Sequence, residues 1–180
     1  MRTHVLASAA ILLTSACAAP PPVSKPPIAS TPTPVQKPAP APTRPAIQQP
    51  AGHWTDWTIA AGAWVYRRDD RGSIALYGTP GADALVTLRC DNARARLFLS
   101  RASDVGGTMT VRTSSTSKAI TVQPTGGKPA YAASEIGVSD PLLDAIAFSR
   151  GRIALELSGA QNIAIPVWSE IGRVVEDCRG

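Results

Sequence analysis

Twelve prolines fall among the 31 residues from Pro20 to Pro50, and they decide which part of this chain can fold. Proline donates no backbone hydrogen bond and locks φ, so a tract this dense joins neither a helix interior nor a central strand. The rest of the tract is mostly Ala, Thr and Gln with Lys25, Lys37 and Arg44, and no apolar period runs through it. Burial cannot offset the entropy of ordering such a segment, and its bias is towards polyproline II. At about 3.1 Å per residue, the tract reaches about 95 Å when fully extended. The expectation is a tether over 17–50, a stalk rather than a recognition ligand, whose positive charges can graze anionic lipid or cell-wall polymer. Residues 51–180 remain, enough for one ordinary core.

The segment ahead of the tether reads as an export signal. Met1-Arg2-Thr3-His4 is short and positive, and Val5 to Leu13 is a nine-residue apolar run. As a helix that run spans about 14 Å. The hydrocarbon core of a bilayer is about 30 Å thick, so it does not cross. Leu13-Thr14-Ser15-Ala16-Cys17 resembles the lipobox of bacterial lipoproteins, with small residues at Ser15 and Ala16 and Thr14 where leucine is usual. The resemblance implies a signal peptide over 1–16, cleavage before Cys17 and acylation of Cys17. Several acyl chains on one residue anchor stably where one does not. Ala18 stands where an aspartate commonly marks inner-membrane retention, which leans towards a periplasm-facing outer-membrane lipoprotein. The competing reading takes Ala16-Cys17-Ala18 as an A-x-A site and gives a soluble secreted product.

Charge separates the same two regions. Of the 18 Lys and Arg, four (Arg2, Lys25, Lys37 and Arg44) precede residue 51, and no acid precedes Asp56. The remaining 14 face all 13 Asp and Glu, so the domain is nearly neutral. It carries no basic stripe with interleaved aromatics, and a nucleic-acid partner is not expected.

From Trp54 onward, the composition changes to short β-type runs with turn residues between them. Strands are expected at Trp57–Ala60, Ala63–Arg68, Ser73–Tyr77, Ala84–Cys90, Arg94–Arg101, Thr108–Thr113, Lys118–Gln123, Arg152–Leu157 and Asn162–Pro166, with a further one at Tyr131–Ser134. Asp70-Arg71-Gly72, Thr79-Pro80-Gly81, Gly106-Gly107, Gly126-Gly127 and Ser158-Gly159 are among the turns between them. This spacing argues for a mainly β domain, an antiparallel β-sandwich or barrel-like fold, with two short helices near the C-terminus. Asp140-Pro141 sets an N-cap before a first-turn proline, opening a helix that runs to Phe148. The second helix follows Pro166. Its apolar residues Trp168, Ile171, Val175 and Cys178 are spaced 3, 4 and 3, one helical stripe that points at the core.

Strand alternation puts Val86, Leu88 and Cys90 on one face, so Cys90 also points inward. Two inward cysteines in an exported domain most simply form a disulfide between Cys90 and Cys178. It closes a loop of about 89 residues, worth roughly 4–5 kcal/mol in the chain-entropy treatment. A metal site is the rival, but the exported chain keeps one histidine, His53, and no C-x-x-C.

Candidate chemistry is sparse. Ser115-Thr116-Ser117-Lys118 matches S-x-x-K, which needs its serine at a helix start, yet here a strand follows. A Ser-His-Asp triad must use His53, and no G-x-S-x-G is present. Arg150-Gly151-Arg152 presents two guanidiniums suited to a carboxylate or phosphate, against the plainer reading of a helix-end glycine flanked by bases. Trp54, Trp57, Trp64 and Tyr66 gather at the start of the domain, with Trp64 and Tyr66 on one face as either partner-contacting or core aromatics. Arg150, Arg152, Trp64 and Tyr66 are therefore the candidate contact residues. No catalytic residue, metal or cofactor is expected.

The stretch "PLLDAIAFSRGRIALELSGAQNIAIPVWSEIGRVVEDCR" resembles uncharacterised exported lipoproteins of sphingomonad-type alphaproteobacteria. The likeness covers Trp54–Arg179, with Pro141–Cys178 its most specific part. The domain is also similar to the invasion-associated locus B family, small periplasmic β domains with disulfides. There, as in Ile163–Cys178, a late strand leads to a short terminal helix ending near a cysteine. This chain lacks the cysteines for the second disulfide often found in that family. Neither resemblance implies an activity. The sequence thus points to a non-enzymatic envelope lipoprotein with a protein or peptidoglycan partner, the alternative being a periplasmic small-ligand-binding protein or hydrolase.

Overall fold

A computed structural model describes residues 47–180. The readings made on the signal segment, on Cys17 and on the tether up to residue 46 lie outside the described residues. Nine strands follow a short 3-10 turn at Trp54–Asp56: β1 Ala63–Asp69, β2 Gly72–Gly78, β3 Val86–Asp91, β4 Arg96–Ala102, β5 Gly107–Arg112, β6 Ser117–Pro124, β7 Tyr131–Gly137, β8 Arg152–Leu157 and β9 Ile163–Pro166. Helix α1 spans Pro141–Ala147 between β7 and β8, and α2 spans Ser169–Arg179 after β9. Asp140 caps α1 by accepting from the Leu142 N–H at 2.9 Å, with Pro141 in the first turn.

The strands form one antiparallel sheet in the order β1-β2-β3-β4-β7-β6-β5-β8-β9. It has two wings. β1, β2, β3, β4 and β7 make one, and β5, β6, β8 and β9 make the other. They join through the end of β6, where only Gln123 and Pro124 pair with β7. The sheet is not closed into a barrel. The segment expected as a strand over Trp57–Ala60 is instead a single parallel bridge between Ile59 and Ala164, with the Ala60 N–H donating to the Ala164 carbonyl. The reason is the partner: β9 is four residues long and ends at Pro166, so it offers little edge to extend.

Alternation places Ala75 and Tyr77, Val86, Leu88 and Cys90, Leu97 and Leu99, and Ile153, Leu155 and Leu157 on the buried face of their strands. Helix α2 lies on this face over β1 to β4, contributing Ile171, Val174 and Val175. Trp168, read from its spacing as part of that stripe, is instead 45% exposed. It precedes the helix in extended backbone (φ −122°, ψ 170°), so the helical 100° step does not apply to it.

Two charged residues are buried among those described, Asp91 at the end of β3 and Arg101. Arg101 follows Leu97 and Leu99 on the inward face of β4 and is 3% exposed. Its Nη1 donates to the Leu155 carbonyl at 3.2 Å and its Nη2 to the Gln161 carbonyl at 2.6 Å, joining the two wings across the interior. Burial pulls this guanidinium down to about 10, which leaves it charged at neutral pH.

The disulfide expected from the sequence is present. Cys90 at the end of β3 is bonded to Cys178 near the end of α2, with Cα atoms 5.4 Å apart and the two residues 88 positions apart in sequence. Replacing both cysteines with serine is expected to lower unfolding free energy by about 4 kcal/mol. Chemical denaturation of the oxidised protein and the double variant measures this, and equal midpoints would show that the bond does not constrain the unfolded chain.

Candidate functional site

The face of β1 that meets α2 carries Trp64, Tyr66 and Arg68. Trp64 is 5% exposed, and its indole N–H donates to the Pro166 carbonyl at 2.8 Å. Its ring lies 5.2 Å from that of Tyr77. The sequence left Trp64 open as a contact residue; burial removes it from the surface and makes it core packing.

Tyr66 is the hub between strand and helix. Its hydroxyl donates to Asp177 Oδ2 at 2.6 Å and accepts from Arg68 Nε at 2.7 Å. Arg68 Nη2 reaches Asp177 Oδ1 at 2.6 Å, closing a three-residue ring of bonds. The other side of the problem is Arg173, whose guanidinium carbon sits 4.0 Å from the Tyr66 ring centroid. Burial pushes the Asp177 carboxyl up, but the hydrogen bonds from Tyr66 and Arg68 outweigh it and hold the group below the usual carboxylate range.

Two loops bring further aromatics beside this hub. At the end of α1, Phe148 takes the C-cap position, with its N–H bonded to the Asp144 carbonyl. The next residues are clasped by two serines. Ser149 Oγ accepts from the Ser114 N–H at 2.9 Å and donates to the Arg152 carbonyl at 2.7 Å, and Ser114 Oγ accepts from the Arg150 N–H at 2.9 Å. With the loop fixed, Phe148 is left 78% exposed. After β9, the Val167 N–H donates to the Gly151 carbonyl, and Trp168 projects from the start of α2.

These elements enclose a cleft of about 730 Å³ lined by Tyr66, Phe148, Trp168, Glu170, Arg173 and Glu176 among others. The three charged residues follow one another at a spacing of three along α2. No ion pair engages any of them among the described residues. Elsewhere Asp69, Asp91, Glu135, Asp140, Asp144, Glu156 and Asp177 are each paired with an arginine or lysine. The cleft therefore combines exposed ring faces with unengaged donors and acceptors, the combination by which small polar-apolar ligands are held.

The arginine pair from the sequence lies elsewhere. Arg152 is half-buried and its Nη1 donates to the Trp57 carbonyl at 2.6 Å, while Arg150 is exposed. Neither lines the cleft. Gly151 between them has φ +78°, so it turns the chain after α1 as a glycine does most readily. Ser115 and Lys118 line a second cleft of about 490 Å³ with Asp140 and Leu142. Ser115 sits in the turn before β6, and the Lys118 ammonium is engaged by both Asp140 oxygens at 2.9 and 2.8 Å. That arrangement secures the α1 cap rather than activating a serine. His53 caps the 3-10 turn through Thr55. No group of three or more His, Cys, Asp and Glu able to hold a metal occurs among the described residues.

Three further aspartates share the fate of Asp177. Asp69 is lowered to about 2 by hydrogen bonds from Arg89, Asp91 is lowered by Arg71, and Asp140 by Lys118. A carboxyl held below its unfolded value of 3.8 stabilises the fold above that value and ceases to as pH falls through the folded value. Thermal stability is expected to be flat from pH 7 to about 5 and to fall between about pH 4 and 2. Tyr66→Phe is expected to cost about 1–2 kcal/mol at neutral pH by removing the hub hydroxyl, and Asp177→Asn to flatten part of the acid limb. An acid limb unchanged by Asp177→Asn would remove this carboxylate from the set. Comparison of the chain with protein-family models, with curated proteins and with solved structures finds no match to any of them.

Proposed function

We propose that this chain is a non-enzymatic cell-envelope lipoprotein, exported on residues 1–16, anchored to the outer membrane through acylated Cys17 and facing the periplasm. In this reading the tether holds the β domain off the membrane, and the cleft between β1, α1 and α2 binds an envelope partner. The lipobox-like run before Cys17 supports the anchor. The Cys90–Cys178 bond supports an oxidising compartment, since structural disulfides persist there and are rare in the cytosol. The likeness to exported sphingomonad-type lipoproteins and to the invasion-associated locus B family agrees with both.

The observation that carries the binding role is the exposure of Phe148 and Trp168 on one cleft, at 78% and 45%. Exposed large aromatics that converge, rather than scatter singly, mark binding surfaces. Two measurements test the reading. Cys17→Ser is expected to release the protein from membranes, and unchanged fractionation would reject the anchor. A photo-crosslinking residue in place of Phe148 is expected to give adducts in cells that the same residue at exposed Lys128 does not. Equal adducts from both positions would reject the cleft as the binding surface.

A further inference from the structure

Resting on that reading, we propose that the cleft takes a peptidoglycan fragment, an amino-sugar unit bearing a short charged peptide. The rings supply the first reason. A pyranose presents C–H-rich faces that lie flat on aromatic rings, and Phe148 and Trp168 offer such rings at the surface of one concavity. Arg173 supplies the second. Stacking on Tyr66 holds its guanidinium in place while its N–H donors stay free of any carboxylate among the described residues, and that fork matches a carboxylate in bidentate fashion. The third is the order of charge along α2, with Glu170 and Glu176 on either side of Arg173. They lie roughly 9 Å apart along the helix axis. Such a minus-plus-minus line accepts hydrogen bonds from hydroxyls, amides and an ammonium while gripping one carboxylate between them.

The same set disfavours other ligands. Two unpaired carboxylates repel a polyphosphate, and three charges are out of place against a purely apolar chain. An ordinary protein interface needs about 800 Å² on each side. The other exposed large apolar residues among those described, Ile47, Ile59 and Val65, do not line the cleft and so do not extend the patch. The cleft volume of about 730 Å³ suits a compact ligand instead.

Cosedimentation of the mature full-length protein, extracted in detergent, with purified peptidoglycan sacculi tests this. Saturable binding is expected, with Phe148→Ala and Arg173→Gln each weakening it tenfold or more. Phe148 is exposed, so its variant should keep the parent melting temperature and separates binding from folding. A soluble disaccharide-peptide fragment is expected to shift Trp168 emission, a change absent from Trp168→Phe. N-acetylglucosamine oligomers without the peptide should bind at least tenfold more weakly. No binding to sacculi, or binding unchanged in both the Phe148 and Arg173 variants, would overturn the inference. If sacculi do not bind while position 148 crosslinks to an envelope protein, the ligand class is wrong and the binding role stands. If neither occurs, both fall.

Discussion

The bond between Cys90 and Cys178 is what the rest of the molecule depends on, because it fastens the last helix to the middle of a sheet that is otherwise open. A helix of 11 residues is marginal alone in water and owes its persistence to what it packs against. Here the C-terminal half is held several times over. Cys178 is covalently tied to β3, Asp177 is bonded to Tyr66 and Arg68 of β1, and Arg179 donates to the Val138 carbonyl and pairs with Asp144 of α1. Ile171, Val174 and Val175 bury the inner stripe. The N-terminal half, from Ser169 to Arg173, with Trp168 just before it, is thereby presented beside β1 and the end of α1, where it lines the cleft.

The sheet solves a related problem. Its wings meet through two residue pairs of β6 and β7, a thin hydrogen-bonded seam for nine strands. Arg101 reinforces it from inside by reaching from β4 to the carbonyls of Leu155 and Gln161. Burying a guanidinium is expensive, and the same loss of solvent lowers its proton affinity. The return is a fixed relation between wings that apolar contacts alone would leave adjustable. On the far side, Trp57 packs with Ala154 and Ala164, so β8 is covered on both faces. Gln49 closes the turn after β8, with its amide donating to the Ala160 carbonyl and accepting from the Asn162 N–H. The end of the segment expected as tether thus makes defined contacts with the domain.

Much of the fold was legible because period-2 burial leaves a direct trace in sequence. Val86-Thr87-Leu88-Arg89-Cys90 could face only one way, and that alternation turned Cys90 inward as the helical stripe turned Cys178 inward. The cap of α1 was equally local, written in Asp140-Pro141. What escaped depended on distant partners. Trp57–Ala60 has strand character but meets only the short edge of β9. Trp168 fits a helical stripe by spacing, yet lies one residue before the helix. Tyr66 was visible as an aromatic on a strand face, but nothing local reveals that Arg173 and Asp177, more than 100 positions later, close on its ring and hydroxyl. Phe148 carried a signal that went unused: two residues beyond Ile146, it falls about 200° around the helix from the buried side.

Hydrogen exchange of the backbone amides, with the disulfide intact and then reduced, tests most directly whether the covalent tie holds α2 in place. Amides of α2 should lose protection on reduction by at least tenfold, while those of β4, β5 and β8 lose less, and Trp168 emission should shift as the cleft opens. Protection of residues 169–179 that survives reduction would contradict the dependence of the cleft on that bond.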